Sequence, residues 1–147
     1  MSELTLIDRA FLLKKTALFR GLDLDTLLII ADKAGISDLR AGEPVFQLGM
    51  EGAHLYVVVH GSVAILDPND EILCTLGPSH FFGDESVFSE SVRPYGAKCE
   101  SPVRLLSIVR SHLLAIIYEC PSVALQLLRE YARVLSPERR YTEGGTP

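Results

Sequence analysis

The residues best suited to holding a small molecule gather in one stretch. It runs Phe81-Phe82-Gly83-Asp84-Glu85-Ser86-Val87-Phe88 and continues as Arg93-Pro94-Tyr95-Gly96-Ala97-Lys98. Gly83 has no side chain, so backbone amides there can approach a bound group closely. Residues 84 to 88 fit one short helical turn, whose leading N–H groups suit an anion. Asp84 can cap that turn. Glu85 is a second acid and is expected to face solvent, because two acids together repel an anionic ligand. Ser86 suits either a ligand oxygen or the turn's own backbone. Arg93 and Lys98 bring positive charge. Tyr95 offers one neutral hydrogen bond or fills a cavity. Gly96 and Ala97 let a strand lie close to whatever the interior holds.

Other chemistries find little support. His54, His60, His80 and His112 are scattered, with no His-Glu-x-x-His pattern and no Cys/His cluster, so no metal site is expected. Asp67-Pro68-Asn69-Asp70-Glu71 lacks the register of a calcium loop and reads as a hairpin turn. No Ser/His/Asp or Cys/His set has helpful context, so the chain is not read as an enzyme. Cys74, Cys99 and Cys120 are odd in number and widely spaced, unlike a disulfide framework or a zinc knuckle. They read as reduced, mostly buried thiols of an intracellular protein.

The elements that must position the stretch follow from periodicity. Residues 1 to 34 read as helical. Thr5 with Asp8 starts a first helix carrying Phe11, Leu12 and Leu18, and Asp23 caps a second through Leu24, Leu27, Leu28, Ile30 and Ala31. Gly35 reads as its C-terminal cap. From Ile36 to Val109 short apolar runs alternate with Gly and Pro. Strands are expected at 45–48, 55–59, 62–66, 72–76, 97–100 and 103–108. Helical spacing returns at Leu113, Leu114, Ile116 and Ile117. Pro121 then opens a last helix whose one apolar side carries Val123, Leu127, Leu128, Tyr131, Val134 and Leu135. Many short strands between helical ends predict a mainly β sandwich, jelly roll or barrel.

Bulk properties agree. The chain has 147 residues, 48% of them hydrophobic, which suits a single domain with its own core. That domain is expected over residues 1–136, with a polar, mobile tail at 137–147. A net charge of -5 argues against coating nucleic acid or an anionic membrane. The N-terminus lacks a basic region before an apolar core, and no apolar run approaches the roughly 20 residues that span a bilayer. The expected location is cytoplasmic, without membrane insertion.

Four segments in order resemble the cyclic nucleotide-binding domain family. They are Leu18-Phe19-Arg20-Gly21-Leu22, Gly42 to Gly49, Leu55 to Val63, and Pro121 to Leu135. The resemblance covers about residues 11 to 135. It implies an eight-stranded antiparallel jelly roll (a double-stranded β-helix) with N-terminal and C-terminal helices. It also implies a ligand such as cyclic AMP, cyclic GMP or another nucleotide, with no other cofactor. The family's phosphate cassette opens Phe-Gly-Glu and closes near Arg-Ala-Ala-Thr. Phe82-Gly83-Asp84 matches the opening, which makes Asp84 the acceptor for a ribose hydroxyl, one methylene shorter than usual. Tyr95-Gly96-Ala97-Lys98 matches the close, which puts Tyr95 where the phosphate-clamping Arg is expected. A phenol offers no positive fork to a phosphate. Arg93 or Lys98 would have to supply the charge.

Two functions follow from the resemblance. One is a noncatalytic regulatory module that senses a nucleotide, or signals to a protein partner, by moving its terminal helices. The other is a degenerate, ligand-free interaction domain whose pocket Tyr95 has filled. A homodimer through the last helix is compatible with both. The chain ends soon after Leu135, with no room for a helix-turn-helix, so direct DNA binding is not expected.

Overall fold

The computed structural model describes residues 3–135. Thr5 forms a capping box with Asp8 and starts α1 (Leu6–Lys15). Asp23 accepts the Thr26 N–H and starts α2 (Leu24–Asp32). Eight strands follow: β1 (Gly35–Leu39), β2 (Pro44–Phe46), β3 (His54–His60), β4 (Val63–Leu66), β5 (Ile72–Leu76), β6 (Phe81–Phe82), β7 (Gly96–Cys99) and β8 (Val103–Val109). A short helix, α3 (Asp84–Ser89), interrupts them after β6; α4 (Arg110–Glu119) and α5 (Ser122–Val134) close the described chain.

The strands make two antiparallel four-stranded sheets, ordered β1-β8-β3-β6 and β2-β7-β4-β5. This is the jelly roll that the turn spacing and the resemblance led one to expect. The central strands of the first sheet, β3 and β8, are buried on both faces. Leu55, Val57, Leu106 and Ile108 pack against Leu13, Phe19, Leu27, Ile30, Leu113 and Leu127 of the helical layer. The alternate residues Val58, Val103 and Leu105 face the roll interior, where they meet Phe46, Val63, Ile65, Phe82, Ala97 and Cys99. Burial on two faces explains why Leu55 to Val59 reads as a nearly unbroken apolar run rather than an alternating one.

Several details correct the sequence reading. Gly35 does not cap α2, which ends at Asp32 with Lys33 as its cap. It begins β1 opposite Ser107, where a β-carbon would fall 2.8 Å from the Ser107 hydroxyl. Neither β1 nor β6 was legible as a strand. β1 is polar and largely exposed, and its pairing is reinforced by the cross-strand Asp38–Arg104 ion pair at 2.7 Å. Cys99 is buried, but Cys74 and Cys120 are exposed, contrary to the expectation of mostly buried thiols. The apolar side of α5 is divided: Val123 and Leu127 are buried, whereas Leu128, Val134 and Leu135 are exposed. The expected mobile tail lies outside the described residues.

Candidate functional site

β6 pairs with β3 in the register Tyr56↔Phe82 and delivers the chain to Gly83 beside the His54 carbonyl. Gly83 adopts φ +80, a left-handed conformation that costs glycine little and a residue with a β-carbon much more. It is the N-cap of α3 and has no side-chain capping bond, so Asp84 is a residue of the helix and not its cap.

Arg93 is one of the two cations that the sequence offered to the cassette. Its backbone is stitched to the connection between β2 and β3. The Arg93 N–H donates to the Met50 carbonyl, and its carbonyl accepts from the Gly49 N–H, both at 2.8 Å. The side chain then runs inward and is only 2% exposed. Nη1 donates to the Gly83 carbonyl at 2.8 Å and to Ser86 Oγ at 2.6 Å; Nη2 donates to the His54 carbonyl at 2.8 Å. The guanidinium carbon lies 4.1 Å from the centroid of the Phe46 ring. Among the described residues Nε has no hydrogen-bond partner. Burial lowers the Arg93 pKa. Arg93 is therefore a buried cation and not a solvated surface charge, and the following Pro94 does not turn its side chain outward.

Lys98 does not turn inward. It is exposed on β7, opposite Pro44 and Ala64. Gly96 and Ala97 are buried on the same strand, and Ala97 packs in the roll interior. Thus the cation beside Gly83 and Ser86 comes from position 93, two residues before the one at which the motif alignment had sought it.

Tyr95 is half-buried and lies in the roll, its ring centroid 5.7 Å from that of Phe46. Phe46, Tyr56 and Phe82 complete an aromatic cluster with centroids 5.4–6.2 Å apart. Tyr95 Oη accepts the Gly83 N–H at 2.8 Å and donates to Glu85 Oε1 at 2.7 Å. Glu85 is exposed, yet it is anchored by that phenol rather than free in solvent. Burial raises the Tyr95 pKa, and the Glu85 carboxylate adds to the rise. Ser86 is fully buried; its hydroxyl meets the Gly83 carbonyl at 3.4 Å and receives Arg93.

Asp84 is 7% exposed and accepts a 2.6 Å hydrogen bond from Tyr131 of α5. Burial, and then the neighbouring Glu85 charge, push its carboxyl up to about 6; the Tyr131 bond opposes that rise. Sequence reasoning missed Tyr131 as a cassette partner because it reads there as one member of an apolar stripe. It also missed Arg110, whose Nε donates to the Val87 carbonyl and whose Nη2 donates to the Ser86 and Gly52 carbonyls. The only local signal was a charged residue directly after the apolar run of β8. A cavity of about 710 Å³ opens beside Arg93, walled in part by Phe46, Gly52, His54, Tyr56 and Arg110.

The arrangement is a jelly roll flanked by helices, with a buried cation, Arg93, beside the Gly83 turn. The profile of the cyclic nucleotide-binding domain family matches residues 36–119, and the chain belongs to that family. It is 30% identical over 128 residues to a CRP-like cAMP-activated global transcriptional regulator of Mycobacterium tuberculosis, covering 84% of this chain and 57% of that protein. It is 35% identical over 98 residues to the cyclic AMP receptor protein of Thermus thermophilus, covering 64% of this chain and 45% of the relative. The chain thus spans about half the length of these relatives. Among solved structures, the N-terminal domain of a transcriptional regulator from Streptomyces coelicolor A3(2) superposes with a TM-score of 0.75 at 28% identity, covering 90% of this chain and 93% of that one. Among the described residues, no single helix is long and apolar enough to cross a membrane.

Proposed function

We propose that this domain is a noncatalytic sensor that receives the phosphate of a cyclic nucleotide at Arg93 and Gly83 and a ribose hydroxyl at Asp84. The observation that carries this reading is the Arg93 side chain. A buried guanidinium whose described acceptors are two carbonyls and a hydroxyl, with Nε unpartnered, has no countercharge of its own. Burying a charge is costly unless it is paired, and a phosphate supplies the pair. Phe82, Ser86, Gly96 and Ala97 shape the surroundings. The ligand's purine would lie against the aromatic cluster. Lys98, on the outer face, takes no part.

Cyclic AMP is the first probe because the Mycobacterium tuberculosis relative is described as cAMP-activated. Calorimetry of the chain with cyclic AMP, cyclic GMP and cyclic dinucleotides tests the reading. Binding of one of them in the micromolar range is expected, weakened at least a hundredfold in Arg93→Leu, since charge-assisted bonds to phosphate are the strong ones. No binding of any of them up to high micromolar concentration would remove the sensor.

One observation favours a second reading, a ligand-independent interaction domain. The Gly83 N–H is already satisfied by the Tyr95 phenol, and the ring packs in the roll. On this reading the exposed Leu125, Leu128 and Val134 of α5, with Leu135 just after it, meet a protein partner or a second copy. Nucleotide binding that appears only in Tyr95→Ala would select it.

A further inference from the structure

We infer that Tyr131 and the ribose of a bound nucleotide compete for Asp84, so that filling the cassette releases the second half of α5. The inference rests on the sensor reading above and adds a sign to it: ligand loosens the last helix instead of clamping it.

Three observations converge. First, Tyr131 Oη donates to Asp84 Oδ2 at 2.6 Å across 47 residues of sequence. The Tyr131 ring stands edge-on to Phe88 of α3, with centroids 6.1 Å apart and planes at 84°. Asp84 is only 7% exposed and its Oδ2 is already engaged by the phenol, so a ribose hydroxyl bonding that oxygen contends with Tyr131 for it. Second, the fully buried apolar residues of α5 lie in its first half, and in the second half Tyr131 alone packs against the core. Val123 and Leu127 are buried, whereas Leu128 is 63% and Val134 57% exposed. Third, the polar contacts that hold the second half down are few. Glu130 pairs with Arg20 at 3.1 Å, and Tyr131 bonds Asp84. A segment with little apolar burial and few polar ties belongs to the low-stability end of a structure, where local opening is cheap. Removing the tie at Asp84 therefore shifts that segment toward release, and the coupling is reciprocal: whatever loosens α5 favours the nucleotide.

Hydrogen exchange of the chain with and without saturating cyclic AMP, together with calorimetry of the wild type, Tyr131→Phe and Arg20→Ala, tests this. Tyr131→Phe keeps the ring against Phe88 and deletes only the donor; a thermal melt checks that it folds. Arg20→Ala loosens the same half-helix without touching Asp84. In the wild type, amide exchange over residues 128–134 is expected to rise several-fold on binding. Tyr131→Phe should bind about tenfold more tightly, the worth of one hydrogen bond to a charged group. It should also show raised exchange in α5 without nucleotide. Arg20→Ala should bind more tightly as well, by a smaller factor. Binding with unchanged or reduced α5 exchange, or a Tyr131→Phe affinity equal to or weaker than wild type, overturns the inference and leaves the sensor reading intact. No nucleotide binding by either the wild type or Tyr131→Phe overturns both.

Discussion

Gly52 lies against the Arg93 side chain so closely that a β-carbon there would fall 2.1 Å from Arg93 Nε and 2.3 Å from Cζ. The groups it would meet are the charged end of a side chain with three hydrogen bonds to keep. In Gly52→Ala the guanidinium has to move, and those bonds lengthen or break. A stability loss of about 1–3 kcal/mol is expected from the crowding, read by urea unfolding. Nucleotide affinity should fall more than tenfold. A variant as stable and as competent as wild type would show that Arg93 has room that the structure does not give it.

Replacing Arg93 itself separates charge from geometry. Arg93→Leu leaves the Gly83 and His54 carbonyls without this donor, and about 3 kcal/mol of stability should be lost. Arg93→Lys keeps the charge but not the planar fork that reaches three acceptors at once. It should fall between Leu and wild type in both urea midpoint and nucleotide affinity.

Tyr95→Phe removes the oxygen that accepts the Gly83 N–H and the proton that Glu85 receives. About 1 kcal/mol of stability should go with it. The freed amide should make cyclic nucleotide binding tighter, as measured by calorimetry. Weaker binding in this variant would place the phenol among the ligand's own contacts.

Asp84 makes stability depend on pH. Its carboxyl sits at an ordinary 3.8 when exposed and is pushed up to about 6 in the fold by burial and by Glu85. Between those values the folded chain holds more protons than the unfolded one, so stability falls as pH rises from about 4 to about 6 and then levels off. The full effect is on the order of 3 kcal/mol. Asp84→Asn keeps an acceptor for Tyr131 and cannot titrate, so its urea midpoint should lack that slope between pH 4.5 and 7.5. A wild-type slope that survives in the variant would move the titration to another group.

In the helical layer, Leu127 is 4% exposed and joins α5 to the core shared by α1, α2 and the first sheet. Leu127→Ala should cost about 2–4 kcal/mol. By loosening α5 it should also raise hydrogen exchange around Tyr131.

How far the sequence reached can be judged residue by residue. Thr5 with Asp8 and Asp23 marked two helix starts, because capping is a contact between near neighbours in the chain. The β5 run 72–76 was placed without error, and β3 nearly so, because apolar runs between turn residues are local signals too. Gly83 stood out for the same reason. β6 could not be read, since two residues, Phe81 and Phe82, make no pattern until Tyr56 and Val57 lie beside them.

The amino-acid order by itself determined a β-rich middle between helical ends and singled out the turn at Gly83; the jelly roll and the cassette came from the resemblance of its motifs to a family. The local features rest on spacing, turn chemistry and apolar period, which act over a few residues. Only the tertiary structure decided that Arg93 and not Lys98 supplies the buried cation, that Tyr95 holds the Gly83 amide, and that Tyr131 reaches Asp84. Those outcomes depend on which side chains a loop and a distant helix bring within about 3 Å of one another, the range over which a hydrogen bond forms. No spacing along the chain encodes that distance.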